Sequence, residues 1–341
     1  MRLTSLFLRN FRNYEEVRLE FGPGVNYIYG DNGQGKTNLL EAIFLLITGR
    51  SFRTRHLAEL IRFGEESFYI EGRFEKNGVE QVLKMQMFEG KRTVLHNHTP
   101  LSKLSSLFGL LHGTLLTPED HQLIVGNPKM RRLFLDLQIS QTHPLYLHHL
   151  SRYQRAMKQR NTLLRQKRRE GIEVWEEQMG ESATYLVKLR EETIQELDFP
   201  HTLTYLPSCR SNLAEKLAQG RERDFILGIT SAGPHKDDLS ILMKERSARS
   251  FASEGQKRMM VAQLRFAEWK RLYQHIEEKP LLCIDDAGLS FDLKKEEALL
   301  ASLAQFGQVF VTSARFNSTL SQEASLFEIY GSGKARTPSL R

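Results

Sequence analysis

The sequence predicts an α/β fold whose core is split by an inserted helical arm, and three observations carry that prediction. Near the N-terminus a glycine-rich loop stands between a strand-like run and a helix-like run. From roughly Pro128 to Leu197 the pattern turns helical and dense in charge. From about Phe225 onward, short apolar runs punctuated by Gly and Pro return. Core segments at residues 1–115 and 222–341 thus flank an arm at 116–221.

The first core segment alternates short apolar runs with turns such as Lys76-Asn77-Gly78 and His96-Asn97-His98, which predicts a strand-rich region. Within it, Val25-Asn26-Tyr27-Ile28-Tyr29 has the β-branched and aromatic content of a buried strand. Leu39, Leu40, Ile43, Phe44 and Ile47 then recur at helical spacing up to Gly49. Between them, Gly30-Asp31-Asn32-Gly33-Gln34-Gly35-Lys36-Thr37 satisfies every specified position of the phosphate-binding loop G-x-x-x-x-G-K-S/T. Such a loop binds a nucleotide. Its glycines turn backbone N–H groups onto the phosphates and the helix N-terminus adds partial positive charge. Lys36 reaches the β and γ phosphates, and the Thr37 hydroxyl ligates Mg2+.

In the arm, Leu150, Tyr153, Met157 and Leu164 share one helical face, while Arg155, Lys158, Arg165 and Arg169 share another. Gly171 breaks the helix, and Ile172, Trp175, Met179, Leu186 and Leu189 form a second apolar stripe. The expectation is an antiparallel pair of helices. The basic face suits either an ordinary solvated surface or contact with a phosphate backbone, and the basicity of the chain together with the motifs below favours the backbone contact.

In the second core segment, Pro280-Leu281-Leu282-Cys283-Ile284 and Gln308-Val309-Phe310-Val311-Thr312 are expected as buried parallel strands. The first ends in Asp285 and Asp286, the pattern of a Walker B element. Asp285 is expected to hold Mg2+, directly or through water, and Asp286 to orient or deprotonate the attacking water. Upstream, Ser253-Glu254-Gly255-Gln256 opens a helical run, and Ser253 is a good N-cap in its own right. A Ser-x-Gly-Gln helix start ahead of a Walker B strand is also the order of ABC-type ATPases. There the signature residues, here Ser253, Gly255 and Gln256, face the γ-phosphate held by a second subunit.

Composition bounds the function. The chain of 341 residues is 40% hydrophobic, enough for a sizeable core and about two domains. No apolar run reaches the ~18 residues of a membrane span, and Arg9 and Arg12 interrupt the N-terminal apolar stretch, so a cytoplasmic protein without membrane contact is expected. Two cysteines, Cys209 and Cys283, exclude a disulfide framework and a cysteine-based zinc site. The pairs His96/His98 and His148/His149 lack acidic or cysteine companions at ligand spacing. A formal charge of +7, from 48 Lys and Arg against 41 Asp and Glu, suits a polyanionic partner.

Over nearly its whole length the chain resembles the RecF family of recombination mediators, relatives of the SMC chromosome-organising ATPases. Asn10-Phe11-Arg12-Asn13-Tyr14 is similar to the family's N-terminal strand and turn, and Gly49-Arg50-Ser51-Phe52-Arg53-Thr54 to its segment after the loop helix. Thr117-Pro118-Glu119-Asp120 is similar to its Q-loop counterpart. Arg131-Arg132-Leu133-Phe134-Leu135-Asp136 and Gly233-Pro234-His235-Lys236-Asp237-Asp238-Leu239 resemble further family blocks. Without the family, the last block is a turn whose His and two Asp form a weak metal-ligand pattern. Two departures stand out. The D-loop Ser-Glu-Leu-Asp is replaced by Leu289-Ser290-Phe291-Asp292, and Thr312-Ser313-Ala314 stands where a transporter ATPase carries its switch histidine.

The resemblance implies an ABC-type, SMC-head-like P-loop ATPase core and an ATP-dependent homodimer that binds single-stranded and gapped duplex DNA. It also implies a weak, DNA-stimulated ATPase used as a switch, action with RecR and RecO in loading RecA, and support of the SOS response. An ABC transporter subunit, an SMC-like DNA-bridging ATPase and a small-molecule phosphotransferase share parts of the motif set. A transporter, however, would leave the basic arm without a role, and a phosphotransferase would leave Ser253 to Gln256 without one.

Overall fold

The computed structural model describes residues 1–286, 303–314, 324–331 and 333–336. The chain forms two compact units, one of Met1–Asp120 with Glu268–Arg341 and one of His121–Ala267. The first division lies close to the expected one at residue 115. The second falls at Ala267 rather than at residue 221, because Ala232, Leu239, Leu264 and Ala267 are buried in the same apolar core as the arm helices.

Among the described residues, the first unit holds two six-stranded sheets. One runs in the order β15-β14-β3-β13-β12-β8, from β3 (Val25–Tyr29), β8 (Gly113–Leu116), β12 (Leu281–Ile284), β13 (Val309–Ser313), β14 (Ser325–Tyr330) and β15 (Lys334–Arg336). All its pairings are parallel except that of β15, as expected for β12 and β13. Strands β8, β12 and β13 are buried at every residue, which is why they appear in the sequence as continuous apolar runs.

The other sheet is antiparallel, in the order β2-β1-β4-β5-β6-β7, from β1 (Arg2–Phe11), β2 (Tyr14–Glu20), β4 (Ser67–Lys76), β5 (Val79–Phe88), β6 (Lys91–His96) and β7 (Thr99–Pro100). Helix α1 (Lys36–Thr48) packs against β8 and β13 of the first sheet and against β4 and β5 of the second. It is buried almost all round, from Leu39 to Thr48, so the hydrophobic burial of both sheets fixes where its N-terminus points.

The second unit is built on α2 (Gln122–Val125), α3 (Pro128–Thr142), α4 (Pro144–Arg165) and α5 (Ile172–Glu196). Helices α4 and α5 form the expected hairpin, with Leu150, Tyr153, Leu164, Ile172, Met179, Leu186 and Leu189 buried and Met157 and Trp175 half-buried. The remainder is β9 (Thr202–Leu206), α6 (Leu213–Gln219), α7 (Arg221–Leu227), β10 (Asp238–Met243), β11 (Arg246–Ser247), α8 (Ala248–Phe251) and the start of α9 (Glu254–Ile276). Strands β11-β10-β9 make a small antiparallel sheet.

Charge is buried in this unit, and it is paired. Arg190, 2% exposed, donates to Asp136 at 2.9 Å, to Asp237 at 3.0 Å and to the Pro234 carbonyl at 2.8 Å. Arg160 donates to Asp224 at 2.7 Å, Glu176 at 3.1 Å and Thr230 at 3.0 Å. Breaking one partner of such a network strands a charge, at about 3–5 kcal/mol.

Candidate functional site

The glycine loop follows β3 without a break. Gly30, Gly33 and Gly35 have φ of 147°, 80° and 116°, values that side chains with a Cβ rarely adopt. Gly30 is also confined by its neighbour, since a Cβ there would lie 2.1 Å from the Ile329 carbonyl oxygen of β14.

The loop is held from outside by the turn between β1 and β2. Asn13 Nδ2 donates to the Gln34 carbonyl at 2.7 Å, and the Tyr14 hydroxyl donates to the Gly35 carbonyl at 2.9 Å. Burial pushes the Tyr14 phenol up, so it remains a donor. With its carbonyls tied back at these points, the loop meets the helix at Lys36. There the Nζ ammonium donates to the Gly30 and Asp31 carbonyls at 2.6 and 2.8 Å. Burial lowers the pKa of Lys36, while Asp286, Asp285 and Asp31 pull it back up. A cleft of about 270 Å3, lined by Tyr29, Gly30, Asp31, Gln34, Glu328 and Tyr330 among others, opens beside the loop.

Parallel pairing of β8, β12 and β13 delivers the other half of the site. Ile284 is in register with Leu116 on one side and Val311 on the other, so the next residues along, Asp285 and Thr312, lie at one sheet end. Asp285, 6% exposed, accepts from Thr37 Oγ1 at 2.9 and 3.1 Å and from Thr312 Oγ1 at 2.7 Å. Burial raises its pKa, and the two hydroxyl donors work against that rise. Glu119, in the turn after β8, adds a smaller push upward. Asp286 sits in the left-handed region, φ 54°, with its N–H donating to Thr312 Oγ1 at 2.8 Å.

The sequence patterns therefore converge: Thr37, Asp285 and Asp286 occupy one corner, and Lys36 lies at the loop. Thr312 was missed as a site residue, although it ends an apolar strand in a polar pair just as Asp285 and Asp286 do. Glu41 was missed as well. Fully buried on α1, it accepts from Arg12 Nε and Nη2 at 2.8 Å each, from the Ser51 hydroxyl, and pairs with Arg53 at 3.7 Å. It thus joins the blocks at residues 10–14 and 49–54, which look unrelated in sequence.

Ser253 and Gln256 belong to the second unit and form a reciprocal capping box at the start of α9. The Gln256 N–H donates to Ser253 Oγ at 3.3 Å, and the Ser253 N–H donates to Gln256 Oε1 at 2.8 Å. Both are exposed, and no described atom lies within 4 Å of where a Cβ on Gly255 would be. The cap explains Ser253 and Gln256. It does not explain a glycine in a helical first turn.

On the arm, Arg155, Lys158 and Arg165 are exposed on α4. Arg169 departs from the expectation: α4 ends at Arg165, Lys167 and Gly171 turn the chain at positive φ, and Arg169 lies in that link. Its guanidinium makes a two-pronged pair with Glu222, 2.8 Å on one prong, and lies 4.8 Å over the Phe225 ring.

The Gly233–Leu239 block is a structural hub, not a ligand set. Asp237 accepts from Arg190, Tyr205 and the Ser208 N–H, Asp238 accepts from Arg131 at 2.6 and 3.0 Å, and His235 bonds Tyr153 and Thr230. Among the described residues, no group of His, Cys, Asp and Glu is arranged to hold a metal, and no helix is long and apolar enough to cross a membrane. The Leu289–Asp292 segment lies outside the described residues.

Residues 2–337 match the RecF/RecN/SMC N terminal domain. The chain is 46% identical over 337 residues to the DNA replication and repair protein RecF of Protochlamydia amoebophila, covering 92% of this chain and 94% of that one. It is 37% identical over 353 residues to the protein of the same name from Chlamydia caviae, with 96% of each covered. A solved structure of the recombination mediator protein RecF with ATP, from the RecFOR pathway, superposes with a TM-score of 0.90 at 30% identity, covering 99% of this chain and 98% of that chain. The fold is accordingly that of an ABC-type ATPase.

Proposed function

The chain belongs to the RecF/RecN/SMC family, and on that premise we propose that it is an ATP-dependent DNA-binding protein of recombinational repair and replication. The observation that carries the reading is the meeting of the glycine loop with the Walker B strand, in which Thr37 Oγ1 lies 2.9 Å from the Asp285 carboxylate. Two hard oxygens at the mouth of a phosphate loop suit Mg2+, which favours oxygen ligands shared with substrate phosphates. Thr37 and Asp285 would hold the ion, whose charge would offset that of the phosphates.

The remaining roles belong to the protein. Backbone N–H groups of Gly30 to Gly35 and the N-terminus of α1 cradle the phosphates, and Lys36 exchanges two loop carbonyls for the β/γ oxygens. Asp286 orients or deprotonates the attacking water. Ser253, Gly255 and Gln256 present a helix N-terminus to the γ-phosphate held by a second copy, so that ATP favours a homodimer. Gly255 supports this reading, because a bare first turn lets a phosphate approach where a side chain would obstruct it.

Dimerisation grips DNA, with Arg155, Lys158 and Arg165 on the backbone, and slow hydrolysis releases it. Arg169, engaged by Glu222, joins only by giving up that pair. By its likeness to RecF proteins the chain acts in the cytoplasm on single-stranded and gapped DNA, with RecO and RecR, to help load RecA and support SOS induction. Duplex, gapped and single-stranded DNA binding measured against salt, with and without ATP, tests the reading. Affinity should rise with ATP and fall with salt, whereas ATP-independent binding would overturn the switch.

A further inference from the structure

We propose that Thr312 is the positioning residue that couples the metal ligand to the candidate catalytic aspartate, an inference that rests on the nucleotide-binding reading above. A threonine hydroxyl has one proton to donate and lone pairs to accept with. Both capacities are used here. The proton goes to Asp285 Oδ1 at 2.7 Å, and a lone pair takes the Asp286 N–H at 2.8 Å. One atom of β13 thereby clamps the two consecutive aspartates that follow β12.

The geometry shows what the clamp achieves. Asp286 has φ 54°, a left-handed conformation sparsely populated by residues with a Cβ, so its backbone needs an external hold. That conformation turns the chain sharply after Asp285 and sets the direction in which the Asp286 side chain leaves it. Thr312 is 1% exposed and β-branched within a strand, so its χ1 is restricted and its hydroxyl stays where the sheet puts it. Asp285 is also in contact with Thr37 at 2.9 Å. A displacement of the Asp285 carboxylate, when Thr37 and Asp285 turn to a metal ion, is passed through a single hydroxyl to the Asp286 amide. The sheet brings these residues together because β12 and β13 are adjacent and parallel, Cys283 facing Phe310 and Ile284 facing Val311.

Two substitutions separate this role from packing. Thr312→Val keeps the shape and strand preference but removes the hydroxyl, whereas Thr312→Ser keeps the hydroxyl and removes the methyl. If the hydroxyl is the clamp, Val is the damaging change and Ser the mild one; if Thr312 only fills space, the order reverses.

The first measurement is amide hydrogen exchange at Asp286 in the metal-free and nucleotide-free protein. Exchange should accelerate about tenfold in Thr312→Val, the scale of one lost hydrogen bond, with Thr312→Ser near wild type. The second is ATP binding titrated with MgCl2, where the Mg2+ concentration for half-maximal binding should rise about tenfold in Thr312→Val and not in Thr312→Ser. Thermal melts confirm that both variants fold. Wild-type exchange and wild-type Mg2+ dependence in Thr312→Val would overturn the proposal. A wild-type protein that binds no ATP at any Mg2+ concentration would instead overturn the nucleotide-binding reading, while the exchange measurement would still judge the clamp.

Discussion

Thr37 Oγ1 and the Asp285 carboxylate stand 2.9 Å apart although 248 positions separate them in the chain. Thr37 is in the first turn of a helix packed against two sheets, and Asp285 directly follows a fully buried parallel strand. Their approach is therefore a property of the packed core.

Lys36→Ala should weaken ATP binding about tenfold to a hundredfold, the loss of charge-assisted bonds of about 1.5–3 kcal/mol. The Lys36 ammonium bonds two loop carbonyls in the structure, so the same variant should also loosen the Gly30 to Asp31 turn. Calorimetric titration with ATP checks the first effect, and exchange of the loop amides checks the second. Unchanged ATP affinity would remove Lys36 from the site.

Gly255→Ala should stabilise the isolated chain by up to about 1 kcal/mol, because alanine is the better helix residue and no described atom is near the new Cβ. The same change should impair ATP-driven dimerisation, and Ser253→Arg should abolish it by placing a bulky cation at the helix N-terminus. Light scattering with ATP under non-hydrolysing conditions, beside a denaturant melt, reads both effects. A Gly255→Ala protein that gains stability and still dimerises would assign α9 a structural role alone.

Replacing Arg155, Lys158 and Arg165 by Gln should flatten the salt dependence of duplex binding, each phosphate contact contributing about 0.9 to the log–log slope. Arg169→Gln alone should change that slope little. Its partner Glu222 raises the pKa of the guanidinium through their hydrogen bond, and the pair ties the link after α4 to α7. A larger slope change from Arg169 than from Arg155 would reverse this assignment.

Acid should destabilise the unit that contains His235. The Tyr153 hydroxyl bonds its Nδ1 at 2.6 Å and its Nε2 bonds the Thr230 carbonyl at 3.0 Å, an arrangement that suits the neutral ring. Burial lowers the folded pKa below the ordinary 6.5. As pH falls through 6.5 the unfolded chain takes up a proton that the folded one resists, so unfolding is favoured. The slope is at most about 1.4 kcal/mol per pH unit for one group. Urea unfolding from pH 7.5 downward should show it, with the sampled pH chosen around the free imidazole value, and His235→Gln should flatten it. An equal slope in the variant would place the titrating group elsewhere.

Much of the core was legible because its signals are local. The strand Val25–Tyr29 has the bounds its composition predicts, and α1 ends at Thr48 with Gly49 left-handed beyond it. The helical hairpin follows from two apolar stripes broken at Gly171, and Ser253 caps the start of α9 as its residue type predicts.

What the tertiary structure decided depends on residues far apart in the chain. Arg169 is a basic residue at helical spacing, yet the helix stops short of it and Glu222, 53 positions away, claims its charge. Ala267 marks the unit boundary because Leu264 and Ala267 bury themselves among the arm helices. Thr312 is an ordinary strand residue until β13 is laid beside β12, when its hydroxyl falls between Asp285 and Asp286. By itself the sequence determined the glycine loop, the acidic strand end and the helical arm, since each is written in neighbouring side chains and backbone preferences. Only the packed sheets decided which hydroxyls and cations serve them, because hydrogen bonds and ion pairs form between groups that burial has brought within about 3 Å, whatever their separation in sequence.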